Sequence, residues 1–187
     1  MIAHLIQISS TIAMLCALVL LVLACATLYS PKIQFWPPPH RKSWQSTTFR
    51  SLFRGMFYGQ LLSALGYFWL NGFDMSPFEL GAALALFFAG FLIAFIATGQ
   101  LGWRNAFGAQ EGLCTKGIFA YSRNPIYLAT LLGLLGWGLL YPTGMSIITL
   151  AFWGALYVVA VFLEERWLRG VYGADFVDYC DQTRRFF

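Results

Sequence analysis

The stretch Pro77–Thr98, PFELGAALALFFAGFLIAFIAT, contains one charged residue, Glu79, close to its start. A helix needs about 20 apolar residues to cross the roughly 30 Å hydrocarbon core of a bilayer, so this stretch reads as a membrane-crossing helix. Three more runs have the same character, covering about Leu5 to Tyr29, Ser51 to Leu70 and Ser146 to Leu163. A fifth, Ile126 to Tyr141, is shorter, and the turn Pro142-Thr143-Gly144 separates it from the last run. So short a connection makes neighbours antiparallel and predicts a helical hairpin. The expected fold class is all-α, a multi-pass membrane protein of five transmembrane helices with an amphipathic C-terminal helix on the cytoplasmic side. One domain, residues 1–187, accounts for the whole length.

Composition points the same way. Of 187 residues 59% are hydrophobic and 11% charged, against roughly 25% charged in an ordinary soluble domain. An apolar N-terminal run followed by Ala24-Cys25 invites comparison with a cleaved signal, but only His4 precedes it where a signal carries positive charge. A retained helix is expected.

Charge sets the orientation. All 12 Lys and Arg fall on one side of this arrangement: Lys32, Arg41, Lys42, Arg50 and Arg54 after the first helix, Arg104, Lys116 and Arg123 after the third, and Arg166, Arg169, Arg184 and Arg185 after the fifth. Asp74 and Glu79 alone lie opposite. The positive-inside rule then predicts the N-terminus outside and the C-terminus in the cytoplasm, as in a bacterial inner membrane or its equivalent. The excess of positive charge is explained without nucleic acid. Tyr29, Trp36, Trp69, Trp103, Tyr141 and Trp167 lie near the expected borders, where amphipathic rings favour the headgroup zone. Gly55, Gly59 and Ser63, and then Gly133, Gly136 and Gly138, supply small faces for close helix packing.

Metal chemistry has little support, since Cys16, Cys25, Cys114 and Cys180 show neither CxxC spacing nor a nearby His. Cys114 and Cys180 lie on the expected reducing side, so no disulfide is predicted. The stiff Phe35-Trp36-Pro37-Pro38-Pro39 stretch reads as an interfacial loop with no assigned chemistry.

With so little charge within the helices, an ion pump or proton relay is excluded and the cytoplasmic surface becomes the candidate site. Pro125 suits the first position of a helix, and Asn124 before it is expected to cap that helix. The exposed N–H groups of a helix start attract an anion, and Arg123 adds a two-pronged donor beside them. The plainer reading makes Arg123 a border arginine that meets lipid phosphates. Glu164 and Glu165 fall at the inner end of the last run, where acidic residues oppose the helix dipole and so ask for partners. Arg169 is four residues beyond Glu165 and is its expected partner. Glu164 has none at that spacing and is the sharper candidate. Leu168, Val171, Tyr172, Phe176, Tyr179 and Cys180 then recur at steps of three and four, a pattern broken at Gly173. Such a helix lies on the membrane or closes over a pocket.

The run Gly117 to Tyr127, with Tyr121, Arg123, Asn124 and Pro125, followed by Glu164-Glu165-Arg166-Trp167-Leu168, Tyr172-Gly173, Tyr179 and Arg185-Phe186, resembles the integral-membrane isoprenylcysteine carboxyl methyltransferase and phospholipid methyltransferase superfamily. The resemblance covers about Gly99 to the end of the chain. It implies S-adenosylmethionine as cofactor, contacted by Arg123, Asn124, Pro125, Tyr127, Glu164 and Glu165. Gly117 and Tyr121 would shape the approach, and Tyr172 and Tyr179 would close it. Arg123 and Glu164 would act in catalysis, and no metal is implied. The family's frequent His stands here as Asn124. The implied reaction is methyl transfer to a lipid-like or prenylated acceptor bearing a carboxylate, thiol or amine, with a membrane reductase using a nicotinamide dinucleotide phosphate, or a non-enzymatic protein of the same fold, as rivals. The short fifth run, about 24 Å at the usual rise per residue, predicts a depression at the inner border through which an acceptor with an apolar tail enters sideways. Membrane lipids are the expected surroundings. Nothing in the sequence fixes the oligomeric state, and a monomer is admissible.

Overall fold

The computed structural model describes every residue except Pro31, Arg41, Asp74 and Phe187, and the side chain of Phe107. Arg41 and Asp74, counted above among the orienting charges, therefore lie outside the described residues. Six helices follow one another: α1 Ile2–Tyr29, α2 Trp44–Asn71, α3 Pro77–Leu101, α4 Pro125–Leu140, α5 Gly144–Tyr172 and α6 Ala174–Gln182. Two short 3₁₀ turns, Asn105–Phe107 and Gly117–Ala120, interrupt the connection from α3 to α4, and the described residues contain no strand.

The helix starts follow local chemistry. Ser76 and Glu79 form a reciprocal capping box before Pro77. The Thr143 hydroxyl accepts from the Ser146 N–H and opens α5. Ser43 does the same for α2, which therefore begins at Trp44, two turns ahead of the run expected from hydropathy. At the far end α5 continues nine residues beyond the expected Leu163, so Glu164 and Glu165 sit within a helix and not at its end. Gly173, with φ +53, ends α5 and opens α6 at the break foreseen in the sequence.

Three helices, α1, α3 and α5, are long and apolar enough to cross a membrane. The short apolar α4 and the long α2, with Arg50, Arg54 and Gln60 in its sequence, fall outside that criterion. The side chains are distributed as lipid demands: Ala13, Ala17 and Ala24 of α1 face inward, while Leu5, Ile8, Ile12 and Leu15 are exposed. Helix α3 packs along α4, and α1 packs along α2 and α5. Any Cβ added to Gly90 would collide with the Gly133 backbone, and one on Gly136 would meet the backbone at Phe87. One on Gly59 would lie 2.7 Å from the Ser9 carbonyl. The two groups of helices meet at Trp153, nearly fully buried, with Phe53 and Phe57 of α2 edge-on to its ring and Trp137 of α4 tilted against it.

Candidate functional site

Between the two groups lies a cavity of about 280 Å³. Trp36 and Pro37 cover one side, Tyr127 of α4 and Tyr157 of α5 stand within it, and Tyr172, Phe176 and Tyr179 close another side. Among the described residues its charged lining consists of Arg123, Glu164 and Glu165.

The two adjacent glutamates are used differently, because neighbouring residues on a helix point about 100° apart. Glu165 is buried and faces the start of α4. One carboxylate oxygen accepts from Arg123 Nε at 3.2 Å and from the Asn124 amide at 3.1 Å, and the other meets Arg185 Nη2 at 2.9 Å. Glu165 therefore pairs with Arg123 and Arg185, and not with the Arg169 expected from spacing, which stands on the exposed face of α5. The Arg123 guanidinium also donates to the carbonyls of Cys180 and Thr183 at 2.9 and 2.7 Å, and its backbone N–H to that of Arg184 at 3.0 Å. The result is a clasp that pins the segment after α6 across the entry to α4. Hydrogen bonding to Glu165 holds the Arg185 guanidinium above its usual range.

Glu164, without a partner at i+4 on its own helix, finds one from outside it: Trp36 Nε1 donates to its Oε1 at 2.9 Å. Tyr127 lines the same cavity as this carboxylate. Trp36 in turn stacks on Phe49 with ring centroids 4.3 Å apart. Its loop is anchored by the buried Phe35, whose N–H donates to Thr27 Oγ1 at 3.1 Å. The proline-rich stretch to which the sequence assigned no chemistry thus forms one wall of the cavity.

Asn124 precedes α4 as expected, but its side chain makes no cap bond and its amide is spent on Glu165 and the Arg185 carbonyl. Pro125 opens α4 outside the cavity lining. Gly117, at φ +65, lies against Gln100 and does not line the cavity. Tyr121 is 83% exposed and points elsewhere. Tyr172 and Tyr179 do line it, and the Tyr179 hydroxyl donates to the Phe119 carbonyl at 2.6 Å. Burial pushes that phenol well above its ordinary range. Of α6, Phe176 and Tyr179 are buried, so this helix closes over the cavity instead of merely lying on a surface. The residues that sequence reading missed, Trp36, Phe49, Phe53 and Tyr157, come from apolar or aromatic stretches with no polar signal to mark them. Only the unpaired Glu164 hinted that a donor was needed.

The lining suits one kind of guest. With Glu165 paired to Arg123, Glu164 is left as the carboxylate without a cationic partner among the described residues, surrounded by aromatic rings, a setting that attracts a cation with a flat aromatic part. No group of three or more His, Cys, Asp or Glu able to hold a metal occurs among the described residues.

A search of curated proteins and a search of solved structures each returned no match. A family model described as phospholipid methyltransferase matches residues 78–175, more than half of the chain, and that range holds α3, α4, α5 and both glutamates. On that match, the chain belongs to the phospholipid methyltransferase family.

Proposed function

We propose that this membrane methyltransferase uses S-adenosylmethionine and methylates an acceptor with a long apolar tail. The observation that carries the reading is the Glu164 carboxylate, held by Trp36 in an aromatic cavity that Tyr127 also lines. Bound there, S-adenosylmethionine supplies a methyl group on a sulfonium, ready for in-line displacement. Glu164 and the surrounding rings would hold the cationic donor. Tyr127, Tyr172 and Tyr179 would exclude water, while Arg123, Asn124 and Glu165 keep the wall in place. Fixing donor and acceptor in line is most of what such a transfer requires. If the acceptor is an ammonium, Glu164 is the group placed to take its proton.

The rival reductase is less well supported. A phosphorylated dinucleotide carries several negative charges, whereas the arginine lining this cavity is already committed to Glu165 and two carbonyls. The packing supports a sideways route for the acceptor. Phe49 and Phe53 of α2 and Thr98 and Leu101 of α3 all line the cavity, and among the described residues no packing like that of α3 on α4 joins α2 to α3. A tail could therefore stay in the bilayer while its head reaches the donor. Five crossings, with α2 and α4 completing the span, would put this mouth at the cytoplasmic border.

Calorimetry on detergent-solubilised protein tests the cofactor, with S-adenosylmethionine expected to bind and the phosphorylated dinucleotide not. Labelled cofactor incubated with a membrane lipid extract then identifies the acceptor. Binding of the dinucleotide alone would overturn the reading.

A further inference from the structure

On the opposite face of α5 from Glu164 lies a second, open cleft of about 220 Å³, lined by Phe162, Glu165, Arg166, Arg169 and Arg185. Three guanidinium groups meet here over one carboxylate, and that carboxylate is already shared with Arg123. Arg185 is fixed in place by Glu165 Oε2 and by the Phe162 ring, 4.9 Å from its guanidinium carbon. Arg166 and Arg169 have no hydrogen-bond or ion-pair partner among the described residues. The cleft thus gathers positive charge around one anchored guanidinium, a setting that favours capture of phosphate oxygens.

What lies below the arginines identifies the occupant. Val158, Phe162, Arg166 and Arg169 follow at steps of four, four and three, so they share one face of α5, and all four are exposed. That face is apolar through Val158 and Phe162, 44% exposed each, and becomes basic within one turn. An acyl chain against the lower part and a phosphodiester against the upper part match it in both polarity and order along a membrane-crossing helix.

We propose that this cleft is a binding site for an anionic glycerophospholipid, separate from the methyl-transfer cavity and on the far side of Glu165. A net negative headgroup is preferred over a zwitterionic one, because a choline cation would be brought close to three arginines.

Native mass spectrometry of the full chain in neutral detergent tests this, with phosphatidylglycerol and phosphatidylcholine as competing probes. Phosphatidylglycerol adducts should dominate. Each arginine near an anionic headgroup contributes about a fivefold factor, so Arg166→Gln with Arg169→Gln should weaken phosphatidylglycerol binding by roughly 25-fold. Arg54→Gln, which removes another exposed arginine from α2, should leave it unchanged. Where the paired variant does not fold, the two single variants should each show the fivefold loss. Equal binding of both lipids, an equal loss in Arg54→Gln, or displacement by inorganic phosphate would overturn the proposal. The readout is binding alone, so the result is independent of the methyl-transfer reading.

Discussion

Glu164 and Glu165 are chemically identical neighbours whose surroundings separate them. Replacing Glu165 by Gln leaves Arg123, whose side chain is 11% exposed, and the more open Arg185 without their shared counter-charge. Breaking such a pair costs about 3 kcal/mol, at the low end of the range for buried pairs because Arg185 is partly solvated. Thermal unfolding in detergent should show it. Glu164→Gln should leave the unfolding midpoint nearly unchanged while weakening S-adenosylmethionine binding by about tenfold or more, the usual consequence of losing a charge-assisted contact. Calorimetry on the two variants separates the roles, and equal effects on both readouts would refute the division. The sequence singled out Glu164 because Leu168 occupies its i+4 position. Its real partner, Trp36, lies 128 positions away, and spacing along one helix carries no information about contacts between distant segments.

At the scale of elements, the α3 and α4 pair depends on glycine. Gly90 and Gly133 let the two backbones touch, so Gly90→Ala has no flexible side chain to push aside and must part the helices. A destabilisation of about 2 kcal/mol is expected, as for other overpacked cores. Gly81 lies on the same helix with nothing within 4 Å of an added Cβ. Gly81→Ala should therefore be neutral or slightly stabilising through helix propensity alone. Chemical denaturation of both variants in mixed micelles is the measurement. Small-residue patterning made Gly133 and Gly136 legible as packing positions. It did not show which helix they meet, because glycine spacing specifies closeness and not the partner. The extra turns of α2 and α5 escaped notice for a different reason: hydropathy marks what lipid must cover, and both helices continue into polar surroundings held by a Ser43 cap and by the Glu165 clasp.

For the whole molecule, the distribution of Lys and Arg remains the basis for orientation. Reporter fusions should be active outside when attached before α1 and inside when attached after α6, with α2 and α4 accounting for the remaining crossings. The opposite pattern would also move the cavity mouth to the other leaflet. Chain architecture adds a condition that charge does not express. Helix α5 is the shaft on which distant segments of the chain are set in phase: Glu164 meets Trp36 from the loop before α2, and Glu165 meets Arg185 from beyond α6. One extra residue inserted in α5 between Thr149 and Leu163 would rotate everything after it by about 100° relative to everything before it. Glu164 would then face where the clasp carboxylate belongs and Glu165 would turn on to the exposed side of the helix, with every side chain still present. Length changes in the irregular connection between Gly108 and Lys116 carry no such phase error. Loop changes would thus act only on the stretch of cavity wall they form, while α5 can lengthen or shorten upstream of its glutamates only by whole turns.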